Sequence, residues 1–302
     1  MTDPYTKPWL SIDDQLLKLE SYGLSIPDRP AAANFLKHLN YYRFSGYGLV
    51  FEKEKHVFCE GTTFENIRDA YNFDRDLRDL ITESIEIIEL DLRAATAHSF
   101  GKEYGPFGHT DSSNFFHTFN HSKWLNKINT ETKRSSDLFV KHYRSSYSEF
   151  PDLPIWVVTE VMSFGALSFM YSGMQTDDQK NISHRYGLQP KTLKSWIHHL
   201  VYTRNLCAHH SRIWDRKWSI KPNLPAGNIW APPILPSNDR LFATLLVQSQ
   251  LLSRCQAEKE FSHKWRLRVE DLLSNNIPKL PNSLWQMGLS AKWNKHSVWS
   301  RL

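Results

Sequence analysis

Cysteine is scarce. The chain's 3 cysteines, Cys59, Cys207 and Cys255, stand far apart and outside any C-x-x-C pattern. That excludes a disulfide framework and a paired-cysteine zinc site, and it fits a reducing compartment. Only 12 glycines are spread over 302 residues, and neither a glycine-rich phosphate loop nor a G-x-S-x-G elbow occurs among them. No apolar run approaches the ~18–20 residues of a membrane span. The opening stretch MTDPYTKPWL has no basic region leading into an apolar one, so neither export nor membrane insertion is expected, and the cytoplasm is the expected location. Internal repeats and low-complexity tracts are also missing. The excess of one charge sign is small, at +5; this is compatible with a nucleic-acid partner without requiring one.

What is present is a globular composition, 40% hydrophobic and 23% charged. The 11 Trp, 17 Phe and 12 Tyr belong mostly in a core, although aromatics can also stack on unpaired bases.

Helical periodicity dominates. Residues 11–22 open with Ser11 as an N-cap and end at Gly23. A second helix is expected over 30–43, followed by a turn at Ser45–Gly48 and a short strand at Tyr47–Phe51. Phe64, Ile67, Tyr71, Leu77, Ile81, Ile85, Ile88 and Leu92 recur at helical spacing and predict one long helix over 64–100, stopped by Gly101. A loop follows, then a polar helix over 121–147. The apolar run Ile155–Tyr171 predicts a central core helix, and a short helix is expected at 176–186. Pro190 starts a helix predicted to reach residue 214. Pro222, Pro225, Pro232, Pro233 and Pro236 mark a loop, and helices resume at 238–254 and 258–274. The expected class is all-α. We divide the chain into an N-terminal helical region with an aromatic block (1–60), a helical core (61–236) and a C-terminal helical extension (237–302) packed on that core.

The chemistry gathers on the 190–214 helix. At about 100° per residue, His198, Tyr202, Asn205, His209, Arg212 and Arg216 fall on one stripe. Imidazoles move protons near neutral pH, and guanidinium groups bind phosphate with a fork of donors. Such a set suits phosphodiester chemistry, and it equally fits an ordinary solvated face. His210, Arg212, Arg216, Tyr202 and His198 are the candidate RNA contacts. Arg204 lands instead among Ile197, Leu200, Val201, Cys207 and Ala208 on the apolar side. A charge there needs a partner, and Glu83, Glu86 and Glu89 are candidates. His198 and His209 lie ~16 Å apart by helix rise, too far to share one ion. No metal or cofactor is expected.

At these residues the chain resembles a known group. Arg204-Asn205-x-x-x-His209 matches the R-x4–6-H motif of HEPN-type ribonucleases, including the Asn after the Arg. RNLCAHHSRIWDR, over 204–216, resembles the signature of the Abi-like (AbiD/AbiF) phage-defence family, as do Leu39–Tyr47, Tyr71–Arg78, Glu89–Arg93 and Leu153–Gly165 in order. The resemblance implies a HEPN-type helical bundle with additional N- and C-terminal helices, and metal-independent cleavage of RNA that halts phage growth. It casts His209 as general acid/base, Arg204 as phosphate ligand and Asn205 as the orienting group. It also implies a homodimer, an RNA substrate and a cognate small structured RNA as partner. A second R-x4-H, Arg93 to His98, could supply another half-site, or Arg93 could simply be an ion-pairing residue.

A rival reading is a sensor that binds RNA without cutting it. It would use Arg212, Arg216 and Lys217 with Trp214 and Trp218 as a basic, aromatic surface. Asp74, Arg75, Asp76, Arg78 and Asp79 read as a solvated or structurally paired face. The aromatics Tyr41, Tyr42, Phe44 and Tyr47 read as core before RNA-stacking groups.

Overall fold

Ser11 accepts a hydrogen bond from the Asp14 amide and so caps the first helix, α1 (Ile12–Ser21), which ends at Gly23 with φ +88°. In this computed structural model, residues 4–235, 237–255 and 258–300 are described, so Pro236 lies outside the described residues. The chain divides into two units. One holds the residues up to Leu77 together with Asp271–Ser283; the other holds Arg78–Glu270 and the residues from Leu284 on.

In the first unit α1 is followed by α2 (Arg29–Leu39) and α3 (Tyr41–Gly48). The expected single helix over 30–43 is therefore broken, and the expected turn at Ser45–Gly48 is helical. Asn40 is the reason: its φ of +72° halts α2, while its side chain accepts from the Tyr42 amide and starts α3. The expected strand at Tyr47–Phe51 is instead the end of α3 followed by a 3-10 turn (Leu49–Phe51), and a small antiparallel hairpin, β1 (Glu52–Glu54) and β2 (Val57–Phe58), comes after it. Phe44 and Phe64 stack at 4.3 Å in the core with Phe35 set edge-on to both. Asp74 is fully buried and accepts the Tyr47 hydroxyl at 2.7 Å, so it is not part of a solvated face. Tyr42 is 87% exposed.

The long helix α4 (Phe64–Tyr104) runs through Gly101 and stops at Gly105, whose φ is +72°. Gly101 has a packing role: a Cβ there would lie 3.0 Å from Ile155 Cγ2, so the glycine lets the two segments approach. The helix expected at 121–147 is two, α5 (His121–Arg134) and α6 (Leu138–Ser146). The expected core helix at 155–171 is also two, α7 (Ile155–Val161) and α8 (Phe164–Gly173). Ser163 turns the chain between them by capping α8 through the Ala166 amide. The α9 helix (Thr176–Arg185) and α10 (Pro190–Ala208) follow.

Beyond the proline-marked loop, α11 (Leu241–Leu252) is buried along its whole length and forms the centre of the second unit. The α12 helix (Lys259–Asn276) follows. Trp265 donates to the Leu80 carbonyl at 2.8 Å and Gln248 to that of Ile81 at 3.2 Å, tying both helices to α4. The fold is all-α apart from the small hairpin. Among the described residues no helix is long and apolar enough to cross a membrane.

Candidate functional site

The core face of α10 is Leu193, Trp196, Ile197, Leu200, Thr203 and Cys207, the spacing of a helix with one apolar stripe. His199 is buried beside that stripe with both ring nitrogens satisfied. Nδ1–H donates to the Ile220 carbonyl at 2.7 Å, and Nε2 accepts from the Thr244 hydroxyl at 2.9 Å. Burial pushes its pKa down to about 4, so the ring is neutral at physiological pH. His199 is therefore a structural histidine linking α10 to α11.

The helix ends earlier than its sequence suggests, because the histidine pair forms its C-terminal cap. His209 is the C-cap residue, and His210 adopts φ +54°. The His210 amide donates to the Cys207 carbonyl at 2.9 Å and the Ser211 amide to that of Leu206 at 2.9 Å. This is the Schellman pattern, with histidine at the left-handed position that glycine usually fills. The expected stripe is thereby cut. Arg212 and Arg216 lie past the end of α10; Arg212 ion-pairs with Asp215 at 2.9 Å, and Arg216 donates to the Arg212 carbonyl at 2.8 Å. Trp214 and Trp218 are buried, at 0% and 1% exposure, so they do not form the RNA-stacking surface that a sensor would use. Trp218 instead meets His199 and the half-buried Tyr202 edge-on.

Arg204 is half-buried. It lines a cleft of about 420 Å3 between α4, α7 and α10, together with Glu86, Glu89, Arg93 and Glu160. Glu86 and Glu89, expected as ion-pair partners of Arg204, line the cleft with it but form no ion pair with it. Glu83 was also a candidate, but it pairs with Arg268 at 2.7 Å. Glu160 was visible in the sequence only as an interruption of an apolar run; its place on the cleft depends on the break between α7 and α8. Within the cleft, Arg93 pairs with Glu89 and also donates to the Thr159 carbonyl. No carboxylate among the described residues lies within ion-pair reach of the Arg204 guanidinium. Asn205, His209 and His210 are exposed, as is His98. Both arginines of the two R-x4-H sequences thus face one cleft, and neither histidine lines it. Five residues along a helix amount to about 140° of rotation and ~7.5 Å of rise, which accounts for the separation of Arg204 from His209.

A second cleft, of about 720 Å3, lies between α8 and α10 and is lined by Lys191, Lys194 and His198 among others. Only His198 was singled out from sequence. The lysines were legible in principle, as cations four and seven residues before it on the same helix face. Among the described residues no group of three His, Cys, Asp or Glu side chains is placed to hold a metal ion.

A family model described as Abi-like protein matches residues 34–215, well over half of the chain. The chain belongs to the Abi-like protein family. That membership connects it to abortive-infection phage defence. The matched segment of this Abi-like chain contains α10, the Arg204 cleft, both R-x4-H sequences and the lining of the second cleft apart from Asn223. No curated protein and no solved structure matches the chain.

Proposed function

We propose that this Abi-like protein is a metal-independent HEPN-type endoribonuclease of an abortive-infection system, with Arg204 holding a phosphate and His209 transferring the proton. The observation that carries the reading is the state of Arg204, a half-buried guanidinium without an ion-pair partner at the wall of an open cleft. No carboxylate pairs with this guanidinium directly, and a phosphodiester would supply that partner with a geometry that guanidinium matches. His209 is exposed at the end of the same helix, where an imidazole can reach an incoming strand.

In the reaction the RNA 2′-hydroxyl gives up its proton to His209 and its oxygen attacks the neighbouring phosphorus. The P–O5′ bond breaks and the leaving O5′ takes the proton back from His209, leaving a 2′,3′-cyclic phosphate on one fragment and a 5′-hydroxyl on the other. No water is consumed, and Arg204 balances the charge that builds on the phosphoryl oxygens. Asn205, exposed beside Arg204 one turn before His209, is the side chain that would orient the histidine or the phosphate. Because Arg204 and His209 diverge within one chain, a homodimer that sets the His209 of one copy against the Arg204 of the other completes the site. A small structured RNA is the partner that would hold such an enzyme in check.

The test uses wild-type and His209→Ala protein incubated with total RNA in EDTA. Cleavage by the wild type alone, with 2′,3′-cyclic phosphate ends, is the expected result. Equal cleavage by both proteins would remove His209 from the mechanism, and 3′-hydroxyl ends would exclude 2′-hydroxyl attack.

A further inference from the structure

The cleft between α8 and α10 differs in charge from the one beside Arg204. Lys191, Lys194 and His198 line it from α10, and no lining residue is acidic. The Arg204 cleft, by contrast, has three carboxylates for two guanidinium groups. An anion entering this second site meets only cations and neutral dipoles, with no carboxylate to repel it. All three side chains are exposed, and they recur at i, i+3 and i+7, so they project from one side of the helix over successive turns.

The opposite wall is built for a different contact. Phe169 of α8 lines the cleft and keeps 44% of its surface exposed. It is not loose, because its ring packs against Phe119 at 5.0 Å. A fixed aromatic ring with a free face is a stacking platform for a base. Ser168 adds a hydroxyl beside it. The volume, about 720 Å3, lies within the usual range for small-ligand sites. Cations for a phosphate, a flat ring for a base and a hydroxyl for the sugar edge describe one chemical unit.

We propose that the α8–α10 cleft binds a nucleotide unit, its phosphate between Lys191, Lys194 and His198 and its base against Phe169. The unit can be a free mononucleotide or one residue of a single-stranded RNA; both present the same phosphate and base. The site lies outside the Arg204 cleft, and the proposal stands whether or not RNA is cut.

Two probes separate the sources: AMP, and an eight-residue single-stranded RNA titrated by fluorescence anisotropy over a range of salt. Both are measured on full-length His209→Ala protein, so that loss of cleavage and loss of binding are read separately. Binding of AMP that displaces the RNA assigns the cleft to a free nucleotide as well as a strand; binding of the RNA alone assigns it to a strand. Charge reversal at both lysines, Lys191→Glu with Lys194→Glu, is expected to weaken RNA binding at least about ten-fold at low salt. It should also flatten the salt dependence by roughly 1.4 log units per log unit of salt, the share of two phosphate contacts on a single strand. Phe169→Ala is expected to weaken binding about ten-fold with the salt slope unchanged, as loss of one stacked base would. These side chains are exposed or half-exposed, and an unchanged melting temperature in each variant establishes that the fold is intact. Binding of neither probe by the parent protein, or unchanged RNA affinity in either the lysine pair or Phe169→Ala, overturns the assignment.

Discussion

Arg93 and Arg204, which begin the chain's two R-x4-H sequences, line the same cleft but in opposite electrostatic states. Arg93 is 8% exposed, paired with Glu89 and bonded to the Thr159 carbonyl. Arg204 has no ion-pair partner among the described residues. One guanidinium is held in an ion pair, and the other is not.

Alanine substitution should tell the two apart. Arg93→Ala leaves the Glu89 carboxylate and a backbone carbonyl unpaired in a largely buried setting, which costs about 3 kcal/mol. Arg204→Ala removes a charge that gains nothing from a partner, so stability should change by less than about 1 kcal/mol while RNA cleavage is lost. Urea unfolding of both variants measures the difference. A strongly destabilised Arg204→Ala protein would mean that its charge is already compensated in the folded state.

If two chains complete one site, two inactive variants should rescue one another. A mixed dimer of Arg204→Ala and His209→Ala chains contains one site lacking both groups and one site retaining both. Co-refolded variants are expected to regain roughly a quarter of wild-type activity, since half of the dimers are mixed and half of their sites are whole. Variants that stay inactive after mixing, with mixed dimers shown by mass, would place Arg204 and His209 of one chain in the same site.

The end of α10 offers a backbone test. His210 holds φ +54° in the Schellman turn that terminates the helix. A β-branched side chain is poorly tolerated there, so His210→Val should destabilise the protein by about 1–2 kcal/mol. The change should also lower cleavage, because it displaces the neighbouring His209. A variant as stable as the wild type would show that the turn is set by contacts other than its own backbone preference.

Much of the helical pattern was legible. The Ser11 cap, the helix-start proline at 190 and the apolar repeat from Phe64 to Leu92 each reflect local chemistry that a sequence displays directly. The misplaced boundaries share a cause. Asn40 and His210 both stand at positive φ without being glycine, so the strongest stop signal was missing at each. Ser163 interrupts what reads as one apolar helix, and its role as a cap shows only when its hydroxyl meets the Ala166 amide. At the candidate site, rotation about α10 set Arg204 apart from the exposed polar residues and pointed to Glu86 and Glu89. The same arithmetic could not be extended to Arg212 and Arg216, because it assumes a helix that continues. Glu160, Lys191 and Lys194 acquire their places only through packing between helices distant in sequence, which local periodicity does not encode.

Two buried histidines set how this protein responds to acid. Burial lowers the pKa of both His109 and His199 to about 4, against about 6.5 for the free side chain. The unfolded chain therefore takes up protons between pH 6.5 and 4 that the folded one refuses. Linkage then requires stability to fall as pH drops through that window and to level off above it. At pH 5 each group should cost about 2 kcal/mol, from 1.36 kcal/mol per pKa unit. His199 is the clearer case, because its two nitrogens are held by the Ile220 carbonyl and the Thr244 hydroxyl and protonation would set an N–H against the hydroxyl hydrogen. The measurement is unfolding free energy against pH for the wild type and for His199→Gln, whose amide can donate and accept without titrating. The glutamine variant is expected to start less stable at pH 8 and to lose less on acidification. A variant that follows the wild-type curve in parallel would show that His199 is not the titrating group.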